Sequence, residues 1–426
     1  AIWVGQLLGD EALAAIANAN IIMFLLFALV FGFGMAATVR IGQAWGRHDV
    51  PAARRTLGTA LGLTGMIALV TTVLGMVFAP QMLDLLATPG ASRAEALAYL
   101  RVVFIANPMA TVTTMIAMGL RGAGDAGTPL RFMILATVLD VVLNPLLIMG
   151  YGPIPPLGIA GSAWATVIAT SAGLGAMLAW IYLRDLPLRL RGAELAWLKP
   201  QASELGYILG KGLPMGAQML VISGAGVIMI GLVNREGLVM AAAYGALLQV
   251  WNYIGMPAMA IGGAVSAMAA QHIGAAREDR VDAIGRAGSL ANLITTGVLI
   301  ALLLPLGRPV LELFLGSGSP SVDAALHIQG LAIWTYLPFG VTIVLFGTLR
   351  AYGVVYSQLL VLFTAMYLVR YGAYALLYPV LGADALWYSF LVSSVMSMLL
   401  TMLAYFKGSW RRSMRARIAA QQAAGA

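Results

Sequence analysis

One carboxyl group lies in the middle of an apolar segment, whereas the other sixteen acidic residues lie in connections or at segment ends. Asp140 falls within ATVLDVVLNPLLIMG, and Asn144 shares its helix face one turn later. Placing a charged carboxyl group at the bilayer centre costs about 2.5–3.5 kcal/mol, and burial favours its neutral form. We predict that Asp140 and Asn144 bind the coupling cation, which is H⁺ or Na⁺. The alternative is a structural acid held by an arginine or a hydroxyl group.

Arg370 is the one basic residue placed deep in a segment, within FTAMYLVRYGAYALLY. Two interpretations of this residue remain open. Its guanidinium pairs with Asp140 in one conformation, or it extends to the membrane surface and backbone carbonyl groups. We count Arg370 among the residues predicted to line a substrate cavity.

Other polar side chains within apolar segments complete the predicted cavity, namely Asn18, Thr111, Gln249, Asn252 and Tyr253. The last three are spaced i, i+3 and i+4, so they share one face of a helix. Amide and aromatic groups bind an apolar cation through hydrogen bonds and cation–π contacts. Hydrogen bonding between helices explains the same residues equally well.

The amino-acid composition indicates that these residues lie in membrane-spanning helices. Apolar residues make up 61% of the 426 residues, and only 10% are charged, compared with about 25% in soluble domains. We therefore predict an all-α polytopic membrane protein. Eleven apolar segments are predicted near 12–38, 56–78, 97–119, 130–150, 160–183, 205–232, 240–270, 287–306, 326–348, 358–379 and 384–406.

The positive charges predict the orientation of these segments. Of the 25 Lys and Arg residues, 20 fall on alternate connections and the C-terminal tail. Because cytoplasmic loops carry an excess of Lys and Arg, we place these connections and the C-terminus in the cytoplasm. We expect the protein in the bacterial inner membrane, and we interpret its basic segments as topology anchors rather than as a nucleic-acid surface.

An internal repeat predicts two related halves. FGFGMAATVRIGQAWG (31–46) matches MAIGGAVSAMAAQHIG (259–274), and LRGAG (120–124) matches LRAYG (349–353) at nearly the same offset. The repeat predicts two six-helix lobes related by pseudo-twofold symmetry, with the first helix largely missing from this chain. The predicted N-terminal lobe is 1–190, the C-terminal lobe is 191–408, and a basic tail is 409–426. Between such lobes we expect a substrate path.

Enzymatic and metal-dependent functions are disfavoured by the motifs. The chain has no H-E-x-x-H, G-x-S-x-G or Walker A sequence, and it contains no cysteine. We predict that the protein is not an enzyme and uses no cofactor other than its coupling ion. Na⁺ at Asp140 and Asn144 is the one metal ion considered.

The sequence resembles the multidrug and toxic compound extrusion (MATE) family over essentially its whole length. The resemblance is carried in order by GQLLGDEALAAIANAN, IGQAWGRHD, GLRGAGDAGTPLRF, VLNPLLIMG with LGIAGSAW, AAQHIGAARED and FGTLRAYG. It implies twelve helices in two lobes and ion-driven export of organic cations. A lipid-linked precursor flippase of the same superfamily is the alternative. We expect small organic substrates, a lipid environment and a monomer.

The resemblance is closer to the DinF-like branch than to the NorM-like branch of that family. The NorM-like branch carries an acid shortly after the position of Pro214 and another near Phe339, and neither region has one here. The DinF-like branch carries an Asn and an Asp four residues apart in one N-lobe helix. Here the order is reversed, with Asp140 before Asn144, so either residue could take the coupling role.

Overall fold

The computed structural model describes the backbone of residues 10–85, 90–150 and 155–408, and the side chains of 23–84, 93–150 and 155–408. Packing divides the chain between Gly216 and Ala217 into two units. The helices of the first unit are α1 (Asp10–Gly46), α2 (Val50–Leu85), α3 (Gly90–Gly122), α4 (Gly127–Met149), α5 (Gly158–Leu183) and the first part of α6 (Ala202–Arg235).

The second unit contains the remainder of α6 and eight further helices. These are α7 (Leu238–Gly274), α8 (Asp279–Leu303), α9 (Gly307–Leu315), α10 (Pro320–Ala332), α11 (Tyr336–Ala351), α12 (Tyr356–Phe363), α13 (Arg370–Leu381) and α14 (Asp384–Lys407). A 3₁₀ turn, Ile333–Thr335, joins α10 to α11, and a π-helical segment, Thr364–Val369, joins α12 to α13.

Eleven helical segments in the described part of the chain are long and apolar enough to cross a membrane. The segments α10–α11 and α12–α13 each form one of these spans. Apolar side chains line exposed helix faces, as with Leu69, Val73 and Val77 at four-residue spacing on α2. Such a stripe would be unfavourable in water and suits contact with lipid. The predicted number of eleven segments is confirmed.

Small residues on α5 set its distance from α4. Gly161, Ala165, Ala169 and Gly173 recur every fourth residue, and all four are buried. A Cβ atom at Gly161 would lie 2.3 Å from the carbonyl oxygen of Leu147. Only small residues therefore allow the two helices to approach this closely, as is common in membrane helix pairs.

The connection that follows α5 also belongs to the first unit. A 3₁₀ helix, Gly192–Leu198, lies against α2. A Cβ atom at Gly62 would lie 1.8 Å from the carbonyl oxygen of Leu198. The division between the units therefore falls inside α6, after the connection. The lobe boundary at 190 stays a prediction of the sequence, and the tail 409–426 lies outside the described residues.

Candidate functional site

Asp140 and Asn144 form a hydrogen-bonded ladder with two hydroxyl groups of α5. The Thr166 hydroxyl donates to Oδ1 of Asp140 at 2.8 Å, and the Ser162 hydroxyl donates to Oδ1 of Asn144 at 2.6 Å. The Asn144 amide donates through Nδ2 to the main-chain carbonyl of Asp140 at 3.0 Å. Each helix contributes residues four positions apart, so two rungs join α4 to α5.

The close approach of α4 and α5 makes the ladder possible. Gly161 directly precedes Ser162, and a Cβ atom at Gly161 would collide with α4. Ser and Thr hydroxyl groups are short, so they reach a partner helix only where the backbones lie near each other. The small-residue stripe therefore fixes the positions of Ser162 and Thr166 relative to the acid.

The carboxyl group of Asp140 has only neutral partners among the described residues. Its side chain is half-buried, and no salt bridge reaches it in the described part of the chain. A hydroxyl hydrogen bond supports the charged form, but it leaves the charge itself uncompensated. The ladder contains oxygen atoms from a carboxylate, an amide and two hydroxyl groups. Such atoms are hard ligands, so they suit a proton or a small cation.

A cavity of about 190 Å³ opens between α3, α4 and α5. Its lining is mainly apolar with three threonine hydroxyl groups, and Thr137, one of these, lies one helical turn before Asp140 on α4. Phe132 and Met133 contribute large apolar surfaces to the same cavity. An apolar cavity with a few polar groups suits an amphipathic molecule. None of the predicted substrate residues lines this cavity.

Arg370 lies at the first residue of α13, directly after the π-helical segment. Its side chain is 6% exposed, and Nε donates to the Ser393 hydroxyl at 3.0 Å. The guanidinium carbon lies 4.4 Å from the centre of the Phe390 ring. No acidic side chain in the described part of the chain forms a salt bridge with it. The structure therefore places a buried cation among neutral groups.

Two tyrosines hold the π-helical segment and the start of α13 against α6. Tyr367 donates to the carbonyl oxygen of Val221 at 3.0 Å, and Tyr371 donates to that of Ala225 at 2.8 Å. Gly224 lies between these carbonyl groups, and a Cβ atom there would lie 2.5 Å from the Tyr367 hydroxyl. These contacts fix the direction in which Arg370 leaves its helix.

An aromatic cluster meets the Arg370 guanidinium at Phe390, and neighbouring rings of the cluster lie 5.6–6.5 Å apart. Its members are Tyr244, Trp251, Tyr336, Trp387 and Phe390. The indole N–H groups of both tryptophans are buried and have no hydrogen-bond acceptor among the described residues.

The neutral contacts of Arg370 are similar in size to the cost of burying its charge. One hydrogen bond contributes about 1 kcal/mol, and a desolvated cation–π contact contributes about 2 kcal/mol. A charged side chain at the centre of a membrane helix costs about 2.5–3.5 kcal/mol. Each buried indole N–H group without an acceptor costs about a further 1–3 kcal/mol. The two indole N–H groups are therefore buried polar groups whose cost no acceptor in the described residues offsets.

The remaining predicted cavity residues do not come together in one site. Thr111 is buried in α3 of the first unit. Gln249, Asn252 and Tyr253 form one exposed face of α7, opposite the buried Trp251. The side chain of Asn18 lies outside the described residues. Roles for these residues in substrate binding stay predictions.

The sequence alone did not identify the residues that hydrogen-bond to Asp140 and Arg370. Ser162 and Thr166 share the i, i+4 spacing of Asp140 and Asn144, and this matching spacing is the signal that could have identified them. Ser393 has no such signal, because serine recurs throughout α14. Its role depends on the π-helical segment, which apolar periodicity does not reveal.

Comparison with known sequences gives consistent matches along the chain. A family model described as MatE matches residues 1–146 and 214–374. "Probable multidrug resistance protein YoeA" of Bacillus subtilis is 32% identical over 417 residues, which cover 97% of this chain and 90% of the relative. "FAD transporter" of Shewanella oneidensis is 25% identical over 346 residues, which cover 81% of this chain and 75% of the relative.

Comparison with solved structures identifies the fold. The crystal structure of a variant of the Vibrio cholerae MATE transporter VcmN matches with a TM-score of 0.87 at 18% identity. The match covers 97% of this chain and 92% of that chain. The helices described above therefore follow the fold of MATE transporters.

Proposed function

Because the chain belongs to the multidrug and toxic compound extrusion (MATE) family of integral membrane proteins, we propose that it is a secondary active antiporter. It exports amphipathic, often cationic, organic compounds in exchange for H⁺ or Na⁺. The multidrug resistance name of the Bacillus relative supports this substrate class. The mainly apolar cavity beside α4 also supports it.

The observation that carries the proposal is the ladder between α4 and α5. Asp140 is a carboxyl group within a membrane span, and its partners are neutral. Loading it with a proton or Na⁺ removes its charge and lowers the cost of its position in the membrane. A bound ion therefore changes the relative free energies of two conformations, which is what coupling requires.

Thr166 gives the ladder a second hydrogen-bonding arrangement. Its hydroxyl lies 2.8 Å from Oδ1 of Asp140 and 3.3 Å from the carbonyl oxygen of Ser162, on its own helix. When Asp140 is charged, the hydroxyl donates to the carboxylate. When Asp140 is neutralised, its oxygen still accepts from Thr166 but more weakly, so the Ser162 carbonyl becomes a competing acceptor for the hydroxyl.

Transport by the full-length protein in liposomes tests the proposal, with ethidium as the probe. A pH gradient and a Na⁺ gradient are imposed separately, and the effective gradient identifies the coupling ion. We expect Asp140→Asn to reduce gradient-driven transport at least tenfold, because the amide cannot be ionised. Thr166→Val is expected to reduce transport less, since the carboxyl group remains.

Matched variants distinguish coupling from a general loss of function. Asp279→Asn changes an exposed acid at the start of α8, and Thr295→Val removes a hydroxyl that bonds its own helix. Both are expected to transport like wild type. Unchanged gradient-driven transport by Asp140→Asn would refute Asp140 as the coupling residue.

Three finer assignments remain sequence predictions within this proposal. The first is the closer resemblance to the DinF-like branch. The second is the orientation, with the basic connections and the C-terminus in the cytoplasm of a bacterial cell. The third is the monomeric state.

A further inference from the structure

We infer that three arginines at one end of α3, α4 and α5 form a binding site for an anionic phospholipid. Arg121 lies in the last turn of α3, Arg131 lies near the start of α4, and Arg184 directly follows α5. The lipid phosphate group contacts these arginines, and part of an acyl chain enters the cavity between the same three helices. The inference goes beyond the proposed export function and does not depend on it.

Two side chains bring the three arginines together. The guanidinium carbons of Arg131 and Arg184 lie 5.9 Å and 4.7 Å from the centre of the Trp180 ring. The Nη2 atom of Arg121 lies 3.7 Å from the sulfur atom of Met133, two residues after Arg131. Positive charge orients a membrane helix wherever it lies in a loop. Orientation alone therefore does not account for the convergence of three arginines on adjacent helices.

The charges of these arginines are not compensated within the described part of the chain. All three side chains are exposed, and none of them forms a salt bridge there. The acids of the adjoining connections have other partners. Asp185 pairs with Arg191 at 3.1 Å, and Asp125 accepts from the main-chain N–H of Thr128 at 2.9 Å. The guanidinium groups thus keep paired N–H donors, which a phosphate group accepts with two oxygen atoms.

The cavity of about 190 Å³ reaches this group of arginines. Met133 and Phe132 both line it, and the centre of the Phe132 ring lies 6.2 Å from that of Trp180. The Thr113 and Thr137 hydroxyls of the lining donate to carbonyl groups of their own helices at 2.8 Å and 2.9 Å. Because these protons are already used, a hydrocarbon chain suits the lining.

The cavity opens on an apolar face of α4. Met133 lines the cavity and is exposed, as are its neighbours Leu130 and Ile134. A lipid can therefore place one chain in the cavity without leaving the bilayer. Basic pockets between membrane helices are a recurring form of anionic-lipid site. The same cavity supports the export proposal, so a bound lipid chain would compete with an exported compound.

Dioleoyl phosphatidylglycerol and dioleoyl phosphatidylcholine form a matched pair of probes, because they share acyl chains and differ in net charge. Binding of the first lipid to the purified full-length protein in detergent is measured by native mass spectrometry. We expect wild type to bind phosphatidylglycerol at least tenfold more tightly than phosphatidylcholine. Each of Arg121→Gln, Arg131→Gln and Arg184→Gln is expected to weaken phosphatidylglycerol binding about fivefold. The triple variant is expected to lose the preference.

Two further variants separate the site from general electrostatic attraction and test the position of the chain. The triple variant Arg277→Gln, Arg280→Gln and Arg286→Gln removes the same number of exposed arginines at and before the start of α8. It is expected to keep the preference of wild type. Thr113→Phe fills part of the cavity and leaves the three arginines of the site in place. It is expected to weaken both lipids alike, about fourfold for each methylene group that it excludes.

Equal affinity of wild type for the two lipids overturns the inference, as does loss of the preference in the α8 triple variant. Displacement of phosphatidylglycerol by inorganic phosphate would identify a free anion as the ligand and overturn the lipid assignment. Unchanged lipid affinity in Thr113→Phe would refute the chain position. Binding is measured without a gradient, so it is independent of ethidium transport. If Asp140→Asn retains transport, the coupling proposal fails while the lipid site stands.

Discussion

Asp140 in the first unit and Arg370 in the second are opposite charges with the same kind of incomplete compensation. Each lies within a membrane span, and each has a hydroxyl partner but no ion pair in the described residues. Their surroundings differ, because Asp140 lies beside the Thr166 hydroxyl and Asn144, whereas Arg370 lies against the face of the Phe390 ring. The first region combines a carboxylate with amide and hydroxyl oxygen atoms, whereas the second places a cation against an aromatic ring.

A third charged residue, Glu204, is compensated by an ion pair. Glu204 at the start of α6 is buried, and it accepts from Arg40 Nε at 3.1 Å and from the Thr56 hydroxyl at 2.9 Å. The Arg40 guanidinium also lies 5.3 Å from the centre of the Tyr207 ring. Such a pair joins three helices of the first unit and needs no ligand.

The largest expected effect compares these two acids directly. Glu204→Gln leaves the Arg40 charge without its partner, and we expect a loss of about 2–3 kcal/mol in stability. Asp140→Asn keeps an oxygen that accepts from Thr166, so its stability changes by less than about 0.5 kcal/mol. Thermal unfolding midpoints in one detergent measure both. A similar loss in Asp140→Asn would make that acid structural and remove the contrast.

A second, smaller effect tests how α6 positions the region around Arg370. We expect Gly224→Ala to destabilise by about 1–2 kcal/mol, because the new methyl group displaces the Tyr367 hydroxyl from the Val221 carbonyl. In a Tyr367→Phe background the cost of Gly224→Ala falls by about 1 kcal/mol.

Gly226→Ala is the matched control for that experiment. A Cβ atom at Gly226 meets nothing within 4 Å, so the substitution is neutral or stabilising through helix propensity. Additive costs for Gly224→Ala and Tyr367→Phe in the double variant would mean that this hydroxyl does not hold the segment in place.

The smallest effect concerns a surface charge outside the membrane spans. Partial burial alone would raise the pKa of Glu194, but hydrogen bonds from Arg54 and the Arg191 backbone hold it below its ordinary value of 4.5. The folded state therefore binds this proton more weakly than the unfolded state. The stabilisation is present above pH 4.5 and is lost as the pH falls through the lower folded pKa.

Glu194→Gln removes this pH-dependent contribution, which is about 0.5 kcal/mol for a partly exposed surface pair. Unfolding midpoints at pH 6 and pH 3.5 should therefore fall less steeply in the variant than in wild type. Parallel pH profiles would show that the pair contributes nothing. Either result gives the size of a surface ion-pair contribution to stability, with which the effects of substitutions in the membrane spans can be compared.

The sequence was sufficient to find the charges but not their surroundings. Asp140 and Arg370 stand out because a charge in an apolar segment is costly wherever the helix packs. The partners Thr166 and Ser393 do not stand out, because hydroxyl groups are common in membrane helices. Which hydroxyl meets which charge depends on helix contacts between residues distant in the chain.

Helix spacing also predicted one surface without predicting its use. The i, i+3, i+4 pattern placed Gln249, Asn252 and Tyr253 on one face, and all three are exposed on α7. Spacing specifies which residues share a face. It does not specify what covers that face, because that depends on ligands and on neighbours in three dimensions.

Because of the π-helical segment Thr364–Val369, the direction in which the Arg370 side chain points depends more on the number of residues in that segment than on their identity. A π turn holds one more residue than an α turn, and one residue corresponds to about 100° of rotation in an α-helix. Deleting a single residue there would swing the guanidinium, and everything after it in α13, by more than a quarter of a circle. A scan that only substitutes side chains in this segment would not detect this dependence on the number of residues.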